Sequence, residues 1–144
     1  MFNGYLTEFA PPKKVADHTT AGTGDVSCAS VDMAEDGGYE GVCFITSYGT
    51  AATDNILKAA GSSDDSSFTE YDSTAQVASG ASNEDVQLDI LRPLQRYVKP
   101  VPERGTSSTL ESVYAIRYRS RKRAVTDVVS GTGAVVRVAS PGNA

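Results

Sequence analysis

The stretch from Val86 to Arg123 constrains the fold more than any other. It joins period-two apolar alternation to prolines that a helix interior would not accept. Val86, Leu88 and Ile90 alternate with Gln87 and Asp89, the pattern of a strand with one buried face. Pro93 then predicts a bend, bulge or short turn, because a proline in mid-sheet forfeits a ladder hydrogen bond. Tyr97, Val98 and Val101 resume the apolar pattern around Pro100 and Pro102. Arg104 to Ser108 reads as a loop. From Leu110 to Arg119 the alternation is clean: Tyr114, Ile116 and Tyr118 point one way, and Val113, Ala115, Arg117 and Arg119 the other.

The rest of the chain is read against this β pattern. Residues 1–24 are expected to form an extended arm, since Pro11-Pro12 blocks regular structure and Thr19 to Gly24 is loop-like. Phe2, Tyr5, Leu6 and Phe9 are too apolar for a solvated tail, so the arm is expected to dock on a neighbour subunit or fold back on the body. Val26 to Met33 alternates weakly, as an edge strand would. Glu35-Asp36-Gly37-Gly38 is a turn signal. In Tyr39 to Tyr48, Val42, Phe44, Thr46 and Tyr48 share one face and Cys43 and Ile45 the other. Apolar residues on both faces indicate a central strand covered on both sides. Asp54 to Ala60 fits a helical turn or a short strand. Ser62 to Ser67 is a polar loop, Phe68 to Ala78 holds one or two short strands, and the last strand runs through Ala134, Val136 and Val138. Residues 140–144 form a loose tail.

Seven to nine short strands in 144 residues predict an all-β, single-domain antiparallel β-sandwich or jelly-roll-like barrel over residues 25–139. The length suffices for one core without metal or disulfide staples. Cys28 and Cys43 are expected as two buried thiols. No apolar run has the length of a membrane-spanning helix, so no membrane partner is expected. The N-terminus has no basic region followed by an apolar core, so synthesis and retention in a cytoplasm are expected.

The net charge of −5 conceals a division: residues 1–90 carry a net −12 and residues 91–144 a net +7. Either the molecule has two unlike faces, suited to partners of mixed sign, or distant strands interleave and their charges pair. Arg117, Arg119 and Arg121, followed by Lys122 and Arg123, are the strongest electrostatic feature. Such a stripe could follow nucleic-acid phosphates. Yet the chain is acidic overall, with a pI near 4.8, so a nucleic-acid partner is not expected. Edge protection or a salt-bridged contact with an acidic partner suits the stripe better.

Residues for chemistry are sparse. His18 is the single histidine, and neither cysteine has a cationic neighbour in sequence. Gly22-Thr-Gly24 and Gly131-Thr-Gly133 lack the third glycine of a dinucleotide loop, and no phosphate-binding loop occurs. Asp64, Asp65, Glu70 and Asp72 do not have the spacing of a helix–loop–helix calcium site. No enzyme activity, cofactor or metal is expected.

The run Arg92-Pro93-Leu94-Gln95-Arg96-Tyr97-Val98, then Glu103-Arg104-Gly105-Thr106, then Ala115-Ile116-Arg117-Tyr118 and Arg121-Lys122, resembles a signature of small virion head proteins of tailed bacteriophages. Ala21 to Val26, Val31-Asp32-Met33, Tyr39 to Val42 and Val138 to Pro141 extend the resemblance over most of residues 20–142. Pro102 departs from it. So does the lack of tryptophan in the 110–118 strand, where Tyr114 stands. The resemblance implies a capsid decoration or cement protein, with the major capsid protein and other copies of itself, as a dimer or trimer, for partners. It implies a location in the virion after assembly in the host cytoplasm. Contacts are expected at Phe2, Tyr5 and Phe9 in the arm and at Arg117, Arg119 and Arg121 in the basic stripe. A head–tail connector or tail structural protein is the alternative, and a nucleic-acid or polysaccharide-binding module a third reading.

Overall fold

A computed structural model describes residues 5–50, 55–71, 75–77, 82–119 and 132–139, with backbone alone at 8–9, 75–77 and 132–139. In chain order the elements are a single helical turn, α1 (Leu6–Phe9), then β1 (Pro12–Ala16), β2 (Thr19–Asp25), β3 (Val31–Asp32), β4 (Gly41–Thr50), β5 (Asn55–Ser62), β6 (Thr69–Glu70), β7 (Ala75–Val77), β8 (Asp85–Leu91), β9 (Tyr97–Leu110), β10 (Val113–Tyr118) and β11 (Thr132–Ala139). A 3-10 turn occupies Glu35–Gly37. The fold is all-β.

The strands make two layers joined by β4. The first layer runs β1-β10-β4-β8-β11. The second is centred on β9, with β5 and the end of β4 on one side and β3 and β2 on the other. Short β6 and β7 extend β5. β4 pairs with β10 and β8 along most of its length, then joins β9 through Tyr48↔Leu110 and Thr50↔Thr109. A strand that changes layers in this way makes the corner of a sandwich. All pairings are antiparallel except β11 on β8, which is parallel.

The core lies between the layers and follows from the alternation in sequence. From β4 come Val42, Phe44 and Tyr48, from β8 Val86, Leu88 and Ile90, and from β10 Val113 and Ala115. Leu57, Ala59, Val98, Leu110 and Val31 meet them from the second layer. Each large side chain here contributes about 1.5–3 kcal/mol of hydrophobic stabilisation. The Tyr48 hydroxyl, deep in this core, is shared between the carbonyls of Glu103 (2.9 Å) and Ile56 (3.2 Å). It thereby ties the corner strand to β9 and β5.

Several expectations change. The arm expected over residues 1–24 is, from Pro12 to Asp25, two paired strands, one in each layer. Met1 to Gly4 and the tail at 140–144 lie outside the described residues. Asp54 to Ala60, open between helix and strand, becomes β5 from Asn55 onward. Arg104 to Ser108, expected as a loop, belongs to β9, with an irregularity at Ser107 (φ 53°) and shifts of register against β2. Pro100 and Pro102 sit inside β9 at no cost to the ladder. The Pro102 carbonyl accepts from Val26 N at 2.9 Å, so even-numbered backbone groups here face the β3/β2 side. β3 pairs only with residues 97–98 and β2 only from 103 onward, so the absent proline N–H groups point into the gap between them.

Candidate interaction surface

Arg117 and Arg119, two of the three arginines that look in sequence like an outward basic stripe, hold a turn of the chain itself. Arg117 lies on the inner face of β10 with its side chain 8% exposed. Its Nη1 donates to the Asp32 carbonyl at 2.8 Å and to Glu35 Oε2 at 3.1 Å. Arg119 donates through Nε to the Gly38 carbonyl at 2.8 Å and through Nη2 to the Asp36 carbonyl. The two guanidinium groups stack on the one ring of Tyr39, at 4.6 and 4.5 Å from its centroid. Arg96 adds a bidentate pair to Asp32, both bonds 2.9 Å, which holds the Asp32 carboxyl down at about 2. Together they clasp the turn from Asp32 to Tyr39, in which Asp36 adopts φ 53°. Arg117 is therefore not an outer contact residue. The sharing of a face by Arg117 and Arg119 was correctly legible, but that face points inward. Arg121 lies outside the described residues.

The opposite face of β10 is the outward one. Its ladder rows place Lys14, Tyr114, Ile45 and Gln87 side by side, then Pro12, Ile116, Cys43 and Asp89. Tyr118 ends the pattern over Gly41, where an added Cβ would strike its ring and hydroxyl, and that hydroxyl bonds Asp89. Burial and the Asp89 carboxylate raise the Tyr118 hydroxyl well above its ordinary range. Tyr114 is 44% exposed, and Ile45, Cys43, Ile116 and Tyr118 are partly exposed. Of the double cover expected for β4, one face is fully buried core and the other, with Cys43 and Ile45, is partly exposed among the described residues.

The N-terminal segment enters beside this band, since β1 is the strand at that border of the first layer. Of the arm residues expected to make contacts, Tyr5 is 76% exposed, and its neighbour Leu6 is 65% exposed. Phe9 closes α1, and Phe2 lies outside the described residues.

Elsewhere the polar groups serve the fold. Arg104 collects the carbonyls of Thr20 (2.8 Å), Thr23 (3.1 Å) and Gly24 (3.3 Å), pinning β2, whose seven residues bury no side chain in the core. Lys58 bridges Glu70 (3.1 Å) and Glu103 (3.0 Å). His18 pairs with Glu111 at 3.2 Å in a half-exposed position. Both cysteines are free, and burial pushes the Cys28 thiol up to about 12, far from a reactive thiolate. Among the described residues no group of three His, Cys, Asp or Glu side chains is placed to hold a metal ion. No described helix is long and apolar enough to cross a membrane. No family model, curated protein or solved structure matches the chain.

Proposed function

We propose that this chain is a structural virion protein, a decoration or cement protein that binds the major capsid lattice of a tailed-phage head and stabilises it. The observation that carries the reading is the exposure of Tyr5 and Leu6 ahead of a sandwich whose own core is already closed. Large apolar side chains held in solvent beside an apolar sheet face are what a protein that functions by docking would present. The sequence resemblance to small head proteins supports the same reading. So does the use of Arg96, Arg104, Arg117 and Arg119 to hold loops and strands in place. Arg117 leaves the set of contact residues. Tyr5 and Phe9 remain in it with Phe2, Arg119 and Arg121.

The test is binding to purified expanded heads lacking this protein, with the full chain and a chain without residues 2–9. Saturable binding by the full chain, weakened by the deletion, is expected, at a copy number that scales with the capsid lattice. Occupancy limited to a single ring per particle would favour a head–tail connector. Absence of binding to any head or tail component overturns the proposal.

A further inference from the structure

The two strands from Pro12 to Asp25 form a corner that closes one side of the sandwich. β1 lies along the outer side of β10 in the first layer, and β2 lies along β9 in the second. The chain turns between them at Asp17-His18, beside the turn Glu111-Ser112 that joins β9 to β10, and His18 pairs there with Glu111 at 3.2 Å. The corner is held with little packing of its own. Val15 is its one buried side chain, and Ala16 packs beside it in part. β8 buries three large apolar side chains in seven residues. Both ladders of the corner shift register, between Lys14 and Ala16 in β1 and between Thr19 and Gly24 in β2. Its polar ties come from outside: Arg104 to three carbonyls of β2, His18 to Glu111, and the Ala29 N–H to the Val15 carbonyl at 2.8 Å. The His18 pair is half exposed and contributes little.

We infer that residues 12–25 are an exchangeable corner: they open as one unit while the rest of the sandwich stays folded, and the edges they uncover are taken by the same segment of a second copy. Opening ahead of the core follows from the thin packing, since segments with few buried apolar contacts open below global unfolding. The pivot is Gly24, at φ 85°. Beyond it Val26, whose N–H donates to the Pro102 carbonyl, and Val31 of β3 stay on β9. The occupant follows from fit. An uncovered strand edge is a template for another strand, and the segment already matched in register to β10 and β9 together is residues 12–25 itself. Exchange restores every contact of the closed form, so it costs only association and a change at the pivot. Copies standing close together, as on the lattice proposed above, would favour it. The exchange itself does not depend on that reading.

The test uses the purified full chain without capsids. In the parent chain, amides of residues 12–25 should exchange with deuterium well ahead of those of β4 and β8. Exchange itself is read by disulfides in a Cys28→Ala/Cys43→Ala background. One chain carries Lys14→Cys and the other Tyr114→Cys, ladder partners that are both exposed. Mixed, concentrated and then oxidised, the two should give a disulfide-linked heterodimer whose yield rises with concentration. Arg104→Ala in both chains removes the three hydrogen bonds to β2 and should speed its formation by about tenfold or more. A single chain with both cysteines, oxidised while dilute, should lock the corner and stay monomeric when concentrated. Protection of residues 12–25 equal to that of β4 and β8, or no heterodimer at any concentration, overturns the inference. So does a heterodimer formed as readily between Lys14→Cys and Leu94→Cys chains, because Leu94 is 64% exposed and lies outside this ladder. These outcomes stand whether or not the chain binds phage heads.

Discussion

Replacing Arg117 tests the clasp that fixes the turn from Asp32 to Tyr39. Arg117→Ala removes two charge-assisted hydrogen bonds, to the Asp32 carbonyl and to Glu35, each worth about 1.5–3 kcal/mol. It also removes the stack on Tyr39, worth roughly 0.5–2 kcal/mol. Two effects offset the loss. Glu35, 52% exposed, returns to water at little cost. The Arg117 Nε, buried without a hydrogen-bond partner, no longer carries its penalty of about 1–3 kcal/mol. The net expectation is about 2–3 kcal/mol of destabilisation. For 144 residues the unfolding entropy is about 0.3 kcal/mol/K, so the melting temperature should fall by about 7–10 °C. Arg117→Met keeps the apolar stem against Tyr39 and removes the desolvated charge, so it should cost less than half as much. Urea titration and calorimetry measure both variants, and hydrogen exchange at Tyr39 N, bonded to the Met33 carbonyl, reports the turn itself. A parent-like melt for Arg117→Ala would refute the clasp. A methionine variant as destabilised as the alanine variant would show that the charge, and not the packed stem, holds the turn.

Asp32, held near 2 by Arg96, contributes stability that is fully present above the ordinary carboxylate value of about 3.9 and is lost as pH falls through 2. The stability advantage of the parent over Asp32→Asn should therefore shrink between pH about 4 and 2, as read by urea midpoints across that window. Gly41→Ala should destabilise by about 1–3 kcal/mol because its Cβ displaces the Tyr118 ring. Adding Tyr118→Ala should recover part of that loss, and a cycle in which the two costs simply add would reject the contact. Arg104→Ala should leave the global melt within about 1 kcal/mol of the parent, since β2 buries nothing in the core. Amide exchange over residues 19–25 should nonetheless accelerate, and unchanged exchange there would show that the ladder alone holds β2. Cys28 should resist alkylation in the folded protein at neutral pH, which a thiol assay with and without denaturant reports.

The all-β class and the strand faces were legible because side-chain alternation is a local property. The inner set of β4 and the burial of Val86, Leu88 and Ile90 follow directly from period two. What alternation does not supply is which face is inside when both are plausible. In β10 the larger Tyr114, Ile116 and Tyr118 lie outward, while Val113, Ala115 and Arg117 lie inward. That choice depends on the acidic turn at 32–36, about eighty residues earlier in the chain, whose partners no local pattern reveals. The same holds for β9. Pro100 and Pro102 argue against a central strand until the gap between β3 and β2 is known. The segment from Pro12 to Asp25 has weak strand propensity, and it is held by the ladders to β10 and β9, by Val15 in the core and by the Arg104 side chain, partners distant in sequence. The division of charge between the two halves resolves at the clasp in favour of pairing between distant segments, with Asp32 and Glu35 on Arg96 and Arg117.

The pairing of β1 with β10 also orders events in time. Pro12 to Ala16 waits for Val113 to Ile116, and β4 is flanked on both sides by strands made later, β8 and β10. Until β8 is made, Val42 to Ile45 is apolar on both faces and unpaired, and until β10 is made one of its edges stays open, the kind of segment that finds wrong partners on a crowded ribosome. Closure must also meet the entropy of loops some hundred residues long, which places folding among the slower small domains. The first layer is therefore complete only once β10 and β11 have both been made, so its closing strands are the last of the described elements.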